Sequence, residues 1–457
     1  MDTERITLDT TLTLIAAYLG LFVGLIDANA INLALPAIRD DLGGGISGAQ
    51  WTIDAYNITF AAVLLTAGSL GDRFGRRTLL RVGLVTFVAA SLVCAAAPSL
   101  PLLLAARAVQ GVGAAVMLPQ GLAITAAAFP NPIERARATA AWAMAAAIST
   151  AIGPILGGVL TDSLGWRYIF WLNAPLGVVA LLMSYRYLPE SRDPDAASFD
   201  LHGQTLAMLG LGALTIVLVE GRTMASTWTA ALAAVAVAAI AAFLWSQRRV
   251  THPMLPLDLF RSRRLVAALV ATFTMTFGIY GLLLVNSFAF QQQRGASALE
   301  TALWFLPMPV TYLVLIPVVN TLAHRTGPRL PMTAGLTLMA AGMALYAAVG
   351  PHADVWLIEL SFVLAGAGLA LNTGPAVGLA MSAVPVQRAG LASGVVNLAR
   401  LVGITVGVAV LGSAMAAMGT PAATALGGTV QLIGAAVALR WARADTAAPM
   451  QKEVSHA

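Results

Sequence analysis

Gly68-Ser69-Leu70-Gly71-Asp72-Arg73-Phe74-Gly75-Arg76-Arg77 is a charged, glycine-bearing turn between two apolar runs. It returns 252 residues later as Asn320-Thr321-Leu322-Ala323-His324-Arg325-Thr326-Gly327-Pro328-Arg329. Leucine, arginine, glycine and a second arginine stand in register, and Gly83 falls on Gly335. A second echo follows at 255 residues, where Gly111 and Gly113 match Gly366 and Gly368 and Phe129-Pro130 falls on Val384-Pro385. The chain therefore reads as two parallel halves. Repeats of this kind mark secondary transporters, with the substrate site at the repeat interface.

The flanks of the turn set the physical class. Of 457 residues, 58% are hydrophobic and only 10% charged, against about 25% charged in soluble domains. Too few charges exist to coat a soluble globule, which excludes an ordinary cytosolic enzyme and a disordered chain. A membrane-crossing helix needs about 20 apolar residues. Fourteen such runs are expected, at 12–34, 49–71, 79–97, 101–121, 138–161, 167–187, 203–220, 228–246, 265–290, 301–323, 330–350, 355–380, 390–416 and 423–441. The first exceeds a signal-peptide core and reads as a retained span. The expected fold class is an all-α integral membrane protein with a 6+2+6 plan. Its parts are a six-helix bundle over 1–190, two inserted helices over 191–262, a second six-helix bundle over 263–445, and a cytoplasmic tail over 446–457.

Charge sets the orientation. Nearly all cations are arginine, the sole lysine being Lys452, and net charge is +5. Even-numbered loops carry Arg73, Arg76, Arg77 and Arg81, then Arg135, Arg137, Arg186, Arg192, Arg248, Arg249, Arg261, Arg263, Arg264, Arg325, Arg329 and Arg388. Odd-numbered loops carry Arg39, Arg167, Arg222 and Arg294 alone. By the positive-inside rule the even loops and both termini are cytoplasmic, and the arginines are loop charge rather than a nucleic-acid patch. The one cysteine, Cys94, allows no internal disulfide and no cysteine metal cluster.

The Gly68–Arg77 stretch resembles the signature loop between helices 2 and 3 of the major facilitator superfamily. The stretch from Leu104 to Gly113, LAARAVQGVG, resembles its helix-4 motif, and Gly153-Pro154-Ile155-Leu156-Gly157-Gly158 its helix-5 antiporter motif. Leu25 to Pro36, LIDANAINLALP, and Trp166 to Gly177, WRYIFWLNAPLG, are similar to motifs of the fourteen-span drug:proton antiporters of EmrB/QacA type. The five occur in the right order and cover nearly the whole chain. The resemblance implies a proton-coupled exporter of drugs, antibiotics or amphipathic and cationic small molecules. An exporter of one metabolite or lipid fits the same motifs, and a receptor or scaffold without transport is the rival from another class.

Asp27 lies inside the first span, with Gly20 and Gly24 on its helical face at a spacing that lets a neighbouring helix approach. A charge at the membrane centre costs at least about 2.5–3.5 kcal/mol, and such residues are usually functional. Asp27 is expected to carry the coupling proton, with Arg107 as its buried partner; the resemblance implies that this arginine tunes the acid. Asp54 shares a stripe with Gln50, Asn57 and Ala61. It reads either as a proton or substrate group or as an interfacial acid at the cavity mouth. Glu359 is a candidate second acid, close to the outer boundary, and Glu220 reads as interfacial. Arg400 shares a face with Ser393, Asn397 and Gly407 and reads as snorkelling to the inner interface, the other position being a cavity cation.

Trp51, Tyr56, Asn57, Tyr280, Asn286, Phe288, Trp304, Asn372 and Asn397 are candidate cavity residues, suited to an amphipathic or aromatic substrate through stacking and cation–π contacts. Pro154 removes a helix hydrogen bond and, with Gly153, Gly157 and Gly158, permits a kink and tight packing; the resemblance makes this a bend that favours antiport. For Gly68, Asp72, Arg73, Gly75 and Arg76 it implies a cytoplasmic latch between the halves, doubtful in the second half where His324 replaces the aspartate.

No phosphate loop GxxxxGK[ST] occurs, and Gly111-Val112-Gly113 lies inside an apolar run, so neither ATP nor a dinucleotide is expected. His202, His252, His324, His352 and His456 have no metal-ligand spacing, and no nucleophile–base pair marks an enzyme. The expectation is no cofactor and no metal, with the proton gradient as driving force. The expected partners are a small-molecule substrate, protons and the lipid bilayer, for a monomer in the cytoplasmic (inner) membrane.

Overall fold

The computed structural model describes residues 8–129, 131–192, 200–250, 253, 255–384 and 389–442. The expected tail 446–457, Pro130, Pro385, Arg388, Lys452, His252 and His456 lie outside the described residues, as do the side chains of Arg135, Arg137 and His324.

With no water in the hydrocarbon to satisfy N–H and C=O groups, an apolar run must close its own hydrogen bonds. The chain does this with helices α1 (Leu8–Leu42), α2 (Gly45–Phe74), α3 (Arg76–Ala96), α4 (Leu100–Ala128), α5 (Pro132–Ser163), α6 (Arg167–Tyr187), α7 (Leu201–Glu220) and α8 (Ser226–Ser246). After these come α9 (Arg263–Phe288), α10 (Ala298–Phe305), α11 (Pro307–Thr326), α12 (Arg329–Val349), α13 (Val355–Ser382), α14 (Ala389–Met418) and α15 (Thr420–Trp441). Among the described residues, thirteen helices are long and apolar enough to cross a membrane, and a bent helix makes up to fourteen. The protein is a multi-pass membrane protein.

Two of the expected spans are not straight rods. The second bends by 57° between Gly45–Leu64 and Thr66–Phe74. Just past the bend Gln120 Nε2 donates to the Ala67 carbonyl at 2.8 Å, and a side chain inserted into the backbone ladder is a recognised cause of kinks. The tenth span is α10 and α11 in series, interrupted where Pro307 cannot continue the ladder of α10.

The repeat seen in the sequence is a packing rule in space. At Gly83 a Cβ would lie 2.8 Å from the Gly113 carbonyl, and at Gly335 2.8 Å from the Gly368 carbonyl. The α3–α4 and α12–α13 crossings thus use equivalent glycines. At Gly111 a Cβ would meet the Tyr56 carbonyl of α2, and at Gly366 the Met308 carbonyl of α11, each at 2.3 Å. The turn glycines Gly75 and Gly327 both hold positive φ, 101° and 75°. Gly20 and Gly24 differ from expectation: they receive the Leu84 and Met117 side chains rather than a neighbouring backbone.

Helices α1–α6 pack among themselves, as do α9–α15, while α7 pairs with α8 and also touches α2 and α14. Glu220 of α7 accepts from Ser47 and from Trp51 Nε1 (3.0 Å), and Ser413 Oγ of α14 donates to the Leu218 carbonyl at 2.8 Å. The halves meet at the end carrying the α1–α2 turn. There Gln50 Nε2 donates to the carbonyls of Val408 (3.0 Å) and Ala409 (2.8 Å). Ser287 Oγ donates to the Asn32 carbonyl at 2.7 Å, and Asp162 accepts from the N–H groups of Ala298 (3.0 Å) and Leu299 (2.8 Å). Gly158 of α5 sits against Ala298 and Leu299. Among the described residues, these hydrogen bonds between the halves all lie at one end, the closed end.

Candidate functional site

Asp27 is fully buried on α1, facing into the first half. Its Oδ2 pairs with Arg107 Nη1 at 2.6 Å, and its Oδ1 accepts from Asn173 Nδ2 at 2.7 Å and Gln110 Nε2 at 3.1 Å. Gln110 and Asn173 both reach Ser91 Oγ, at 2.8 and 3.3 Å. Arg107 is 1% exposed; its Nε donates to the Thr52 carbonyl at 3.0 Å and its guanidinium lies 4.5 Å over the Tyr56 ring. Five helices, α1, α2, α3, α4 and α6, therefore converge on one ion pair. A buried pair offsets its desolvation only when its remaining hydrogen-bonding groups are satisfied, and here the amides and hydroxyl do that.

Asp54 is the opposite case. It too is fully buried, yet neither carboxylate oxygen has a hydrogen-bond partner among the described residues. Of the two positions its sequence allowed, the exposed mouth is excluded. Helix α2 begins at Gly45, and Gln50, one turn nearer the closed end, seals that face to α14.

The other candidates divide by location. Tyr56 and Asn57 are buried on α2 beside Asp54. Tyr280 of α9 is half-buried. Asn286 is fully buried with neither amide atom bonded, and Asn372 donates to Met275 Sδ at 3.1 Å. Asn397 is half-buried on α14. Trp51 spends its N–H on Glu220. Trp304 packs on Phe290 at 5.1 Å beneath Arg294 at 4.9 Å, near the closed end, where Phe288 is likewise buried beneath Arg39. Glu359 is half-buried about one turn into α13 and is not drawn into the Asp27 cluster.

Arg400 stays open between the two positions its sequence allowed. It lies nine residues inside the span Leu391–Met418 and is half-buried. Its Nε is buried without a hydrogen bond among the described residues.

The conformational motifs are packed as follows. At Gly153 a Cβ would meet Asn29 Cβ at 2.7 Å, and at Gly157 the Ala30 carbonyl at 2.4 Å, so α5 lies hard against α1 beside Pro154. Asp72 pairs with Arg76 at 2.7 Å within the first half, and Arg73 lies over Phe74; neither bonds across to the second half among the described residues. Glu190 holds the turn in place. It accepts from Arg77 N (3.0 Å) and Thr78 Oγ1 (2.8 Å), and its carboxyl occupies the space a Cβ on Gly75 would need. Burial pushes the Glu190 carboxyl up, but hydrogen bonds from Thr78, Arg77 and Ser191 and the charge of Arg77 outweigh it and hold it below the usual glutamate value.

Asn173, Gln110, Ser91 and Thr52 had no role assigned from sequence. Asn173 carried a signal, as an amide inside an otherwise apolar span.

Two sets of helices, joined at one end and packed about a buried ion pair, make up the fold. The profile of the Major Facilitator Superfamily matches residues 17–408 and, in an overlapping match, 268–455. The chain belongs to this superfamily. It is 39% identical over 414 residues to the multidrug resistance protein Stp of Mycobacterium tuberculosis, covering 89% of this chain and 76% of that one. It is 34% identical over 410 residues to the drug efflux pump JefA of the same species, covering 89% and 80%. Among solved structures, a POT family transporter in complex with 5-aminolevulinic acid superposes with a TM-score of 0.73 at 16% identity, covering 94% of this chain and 96% of that chain. This last likeness concerns the fold.

Proposed function

We propose that the protein is a proton-driven antiporter that exports drugs, antibiotics or other amphipathic small molecules by alternating access. The names of its relatives support export, and the observation that carries the coupling is a pair of buried carboxylates in opposite settings. Asp27 is paired with Arg107, whereas Asp54 has no hydrogen-bond partner among the described residues. An ionised carboxylate buried alone is costly, and a proton removes that cost. In this reading Asp54 holds a proton in the present conformation. Protonation of Asp27 in turn would release Arg107, the cation that also grips α2 at Thr52. Proton and substrate drive the exchange by differing in affinity for the two states.

The end opposite the contacts between the halves is the one rich in arginine. With both termini in the cytoplasm and the chain in the inner membrane, this conformation faces inward, ready to load substrate. The two bundles, 1–190 and 263–445, are the moving bodies, with the helices of 191–262 as a brace along the α2–α14 seam. The protein works as a monomer, without cofactor, and performs no covalent chemistry. Dye efflux in everted vesicles, with and without a pH gradient, tests this reading. Gradient-dependent efflux by the wild type that is lost in Asp27→Asn supports it. Flux indifferent to both refutes it.

A further inference from the structure

The arginine-rich end holds a polar cluster on α3 and α6 that the coupling scheme does not use. Arg81 of α3 reaches across to α6, where its Nε donates to Ser184 Oγ at 3.1 Å and its Nη2 to the Ser184 carbonyl at 2.8 Å. Ser184 is fully buried and donates its own proton to the Leu181 carbonyl at 2.6 Å, which leaves its oxygen to accept. The guanidinium lies 3.7 Å over the Tyr185 ring. Direct contacts thus fix one edge and one face of the cation, while Nη1 has no hydrogen-bond partner among the described residues. Nor does Arg81 form an ion pair among them. Of the carboxylates at this end, Glu190 pairs with Arg77 at 3.7 Å and Asp72 with Arg76 at 2.7 Å. Arg186, exposed next along α6 and 5.8 Å over Tyr187, is likewise without a carboxylate.

The helix ends fix where the cluster sits. Arg81 is five residues into α3 and Tyr185 two residues before the end of α6, so both lie within about 8 Å of the helix termini at that end. Next to them α3 and α6 expose Val82, Val85, Val178 and Leu182. On a membrane-spanning protein such an apolar strip faces hydrocarbon. A tyrosine where the strip ends marks the headgroup level, and unpaired arginines there attract anionic lipid. We infer that Arg81, Tyr185 and Arg186 form a docking site for the phosphate headgroup of an anionic phospholipid, whose acyl chains lie along the exposed strip of α3 and α6. The N–H groups of Nη1 suit phosphate oxygens. Charge complementarity selects an anionic headgroup, because the ammonium of a zwitterionic one would meet the same two cations. The bound headgroup reinforces the Arg81–Ser184 link between the two helices. The inference rests on the membrane-spanning fold and not on the export reading.

The test is native mass spectrometry of the purified, delipidated full-length chain in neutral detergent, titrated with dioleoylphosphatidylglycerol and with dioleoylphosphatidylcholine. Wild type is compared with Arg81→Gln, with Tyr185→Leu and with Arg248→Gln, a change at an exposed arginine just past the end of α8. The expected result is saturable binding of the first anionic lipid, at least about threefold tighter than of the zwitterionic one. That binding should weaken about tenfold in Arg81→Gln, less in Tyr185→Leu, and by less than about twofold in Arg248→Gln. Excess inorganic phosphate should not displace the lipid, because it lacks the acyl chains. The inference is overturned if the two lipids bind equally, if Arg81→Gln binds the anionic lipid as tightly as wild type, or if Arg248→Gln weakens it as much. Displacement by phosphate would also overturn it, by making the site one for a free anion. Should Arg81→Gln not fold, the wild-type selectivity and Tyr185→Leu still decide.

Discussion

Arg107 Nε donates to the Thr52 carbonyl at 3.0 Å while Nη1 of the same guanidinium holds Asp27 at 2.6 Å. One cation thus joins the acid of α1 to the backbone of α2, two residues from Asp54. Removing a single partner of a buried pair leaves a bare charge and costs about 3–5 kcal/mol. Arg107→Ala is therefore expected to lower thermal stability sharply. The paired change Arg107→Gln with Asp27→Asn should recover most of that stability and none of the pH-gradient dependence of efflux. Thermal unfolding and vesicle flux on the same preparations check both halves of the statement. Recovery of coupling in the double variant would remove Asp27 from the mechanism.

Asp54 should respond the other way. Asparagine matches a protonated aspartate in shape and carries no charge to bury. Asp54→Asn is expected to leave the melting temperature unchanged or raised, while abolishing or weakening proton-driven efflux. A variant that melts well below wild type would show that the native acid is ionised and paired in the folded protein.

Glu190 gives a pH signature outside the spans. Its folded value lies below the usual glutamate value, so the stability it contributes is present above the unfolded value and is lost as pH falls through the folded one. Glu190→Gln should lower stability at pH 7 by about 1 kcal/mol through weakened hydrogen bonds to the Gly75–Thr78 turn. The gap between variant and wild type should close below about pH 4. Unfolding midpoints measured across pH 4–8 provide the check, and a constant gap would contradict it.

The spans, the repeat and the Asp27–Arg107 pair were legible in the sequence because each leaves a one-dimensional trace. Apolar length marks a span, matched glycines mark equivalent crossings, and a lone acid with a lone arginine in oil marks a pair. The settings of Asp54 and Arg400 left no such trace. The depth of Asp54 is set by α2 starting at Gly45 and by the cover from α14, which is more than 340 residues away in sequence. The backbone at Arg400 is held against Thr276 by glycines whose partners only three dimensions reveal. The partner that α2 meets just past its bend, Gln120, stands on another helix. Asn173 was visible as a polar residue in an apolar run, but its target, the oxygen opposite the one that Arg107 takes, was not.

The closed end supplies the last prediction. Asp162 of α5 accepts from the backbone N–H groups of Ala298 and Leu299, so a residue of the first half caps the first turn of α10 in the second. This cap forms only while the halves meet, whereas the Ser297–Glu300 capping box within α10 persists in either state. A cap is worth about 0.5–2 kcal/mol, so Asp162→Ala should shift the population toward opening of that end by about 2–30-fold. Spin labels on Ser163→Cys and Leu303→Cys, in a Cys94→Ser background that removes the single native cysteine, report the separation across the seam. The long-distance component should grow in Asp162→Ala and return toward wild type in Asp162→Asn, whose side-chain oxygen still accepts one bond. The Asp162 contact would play no part in holding the end shut if the distance distribution did not change.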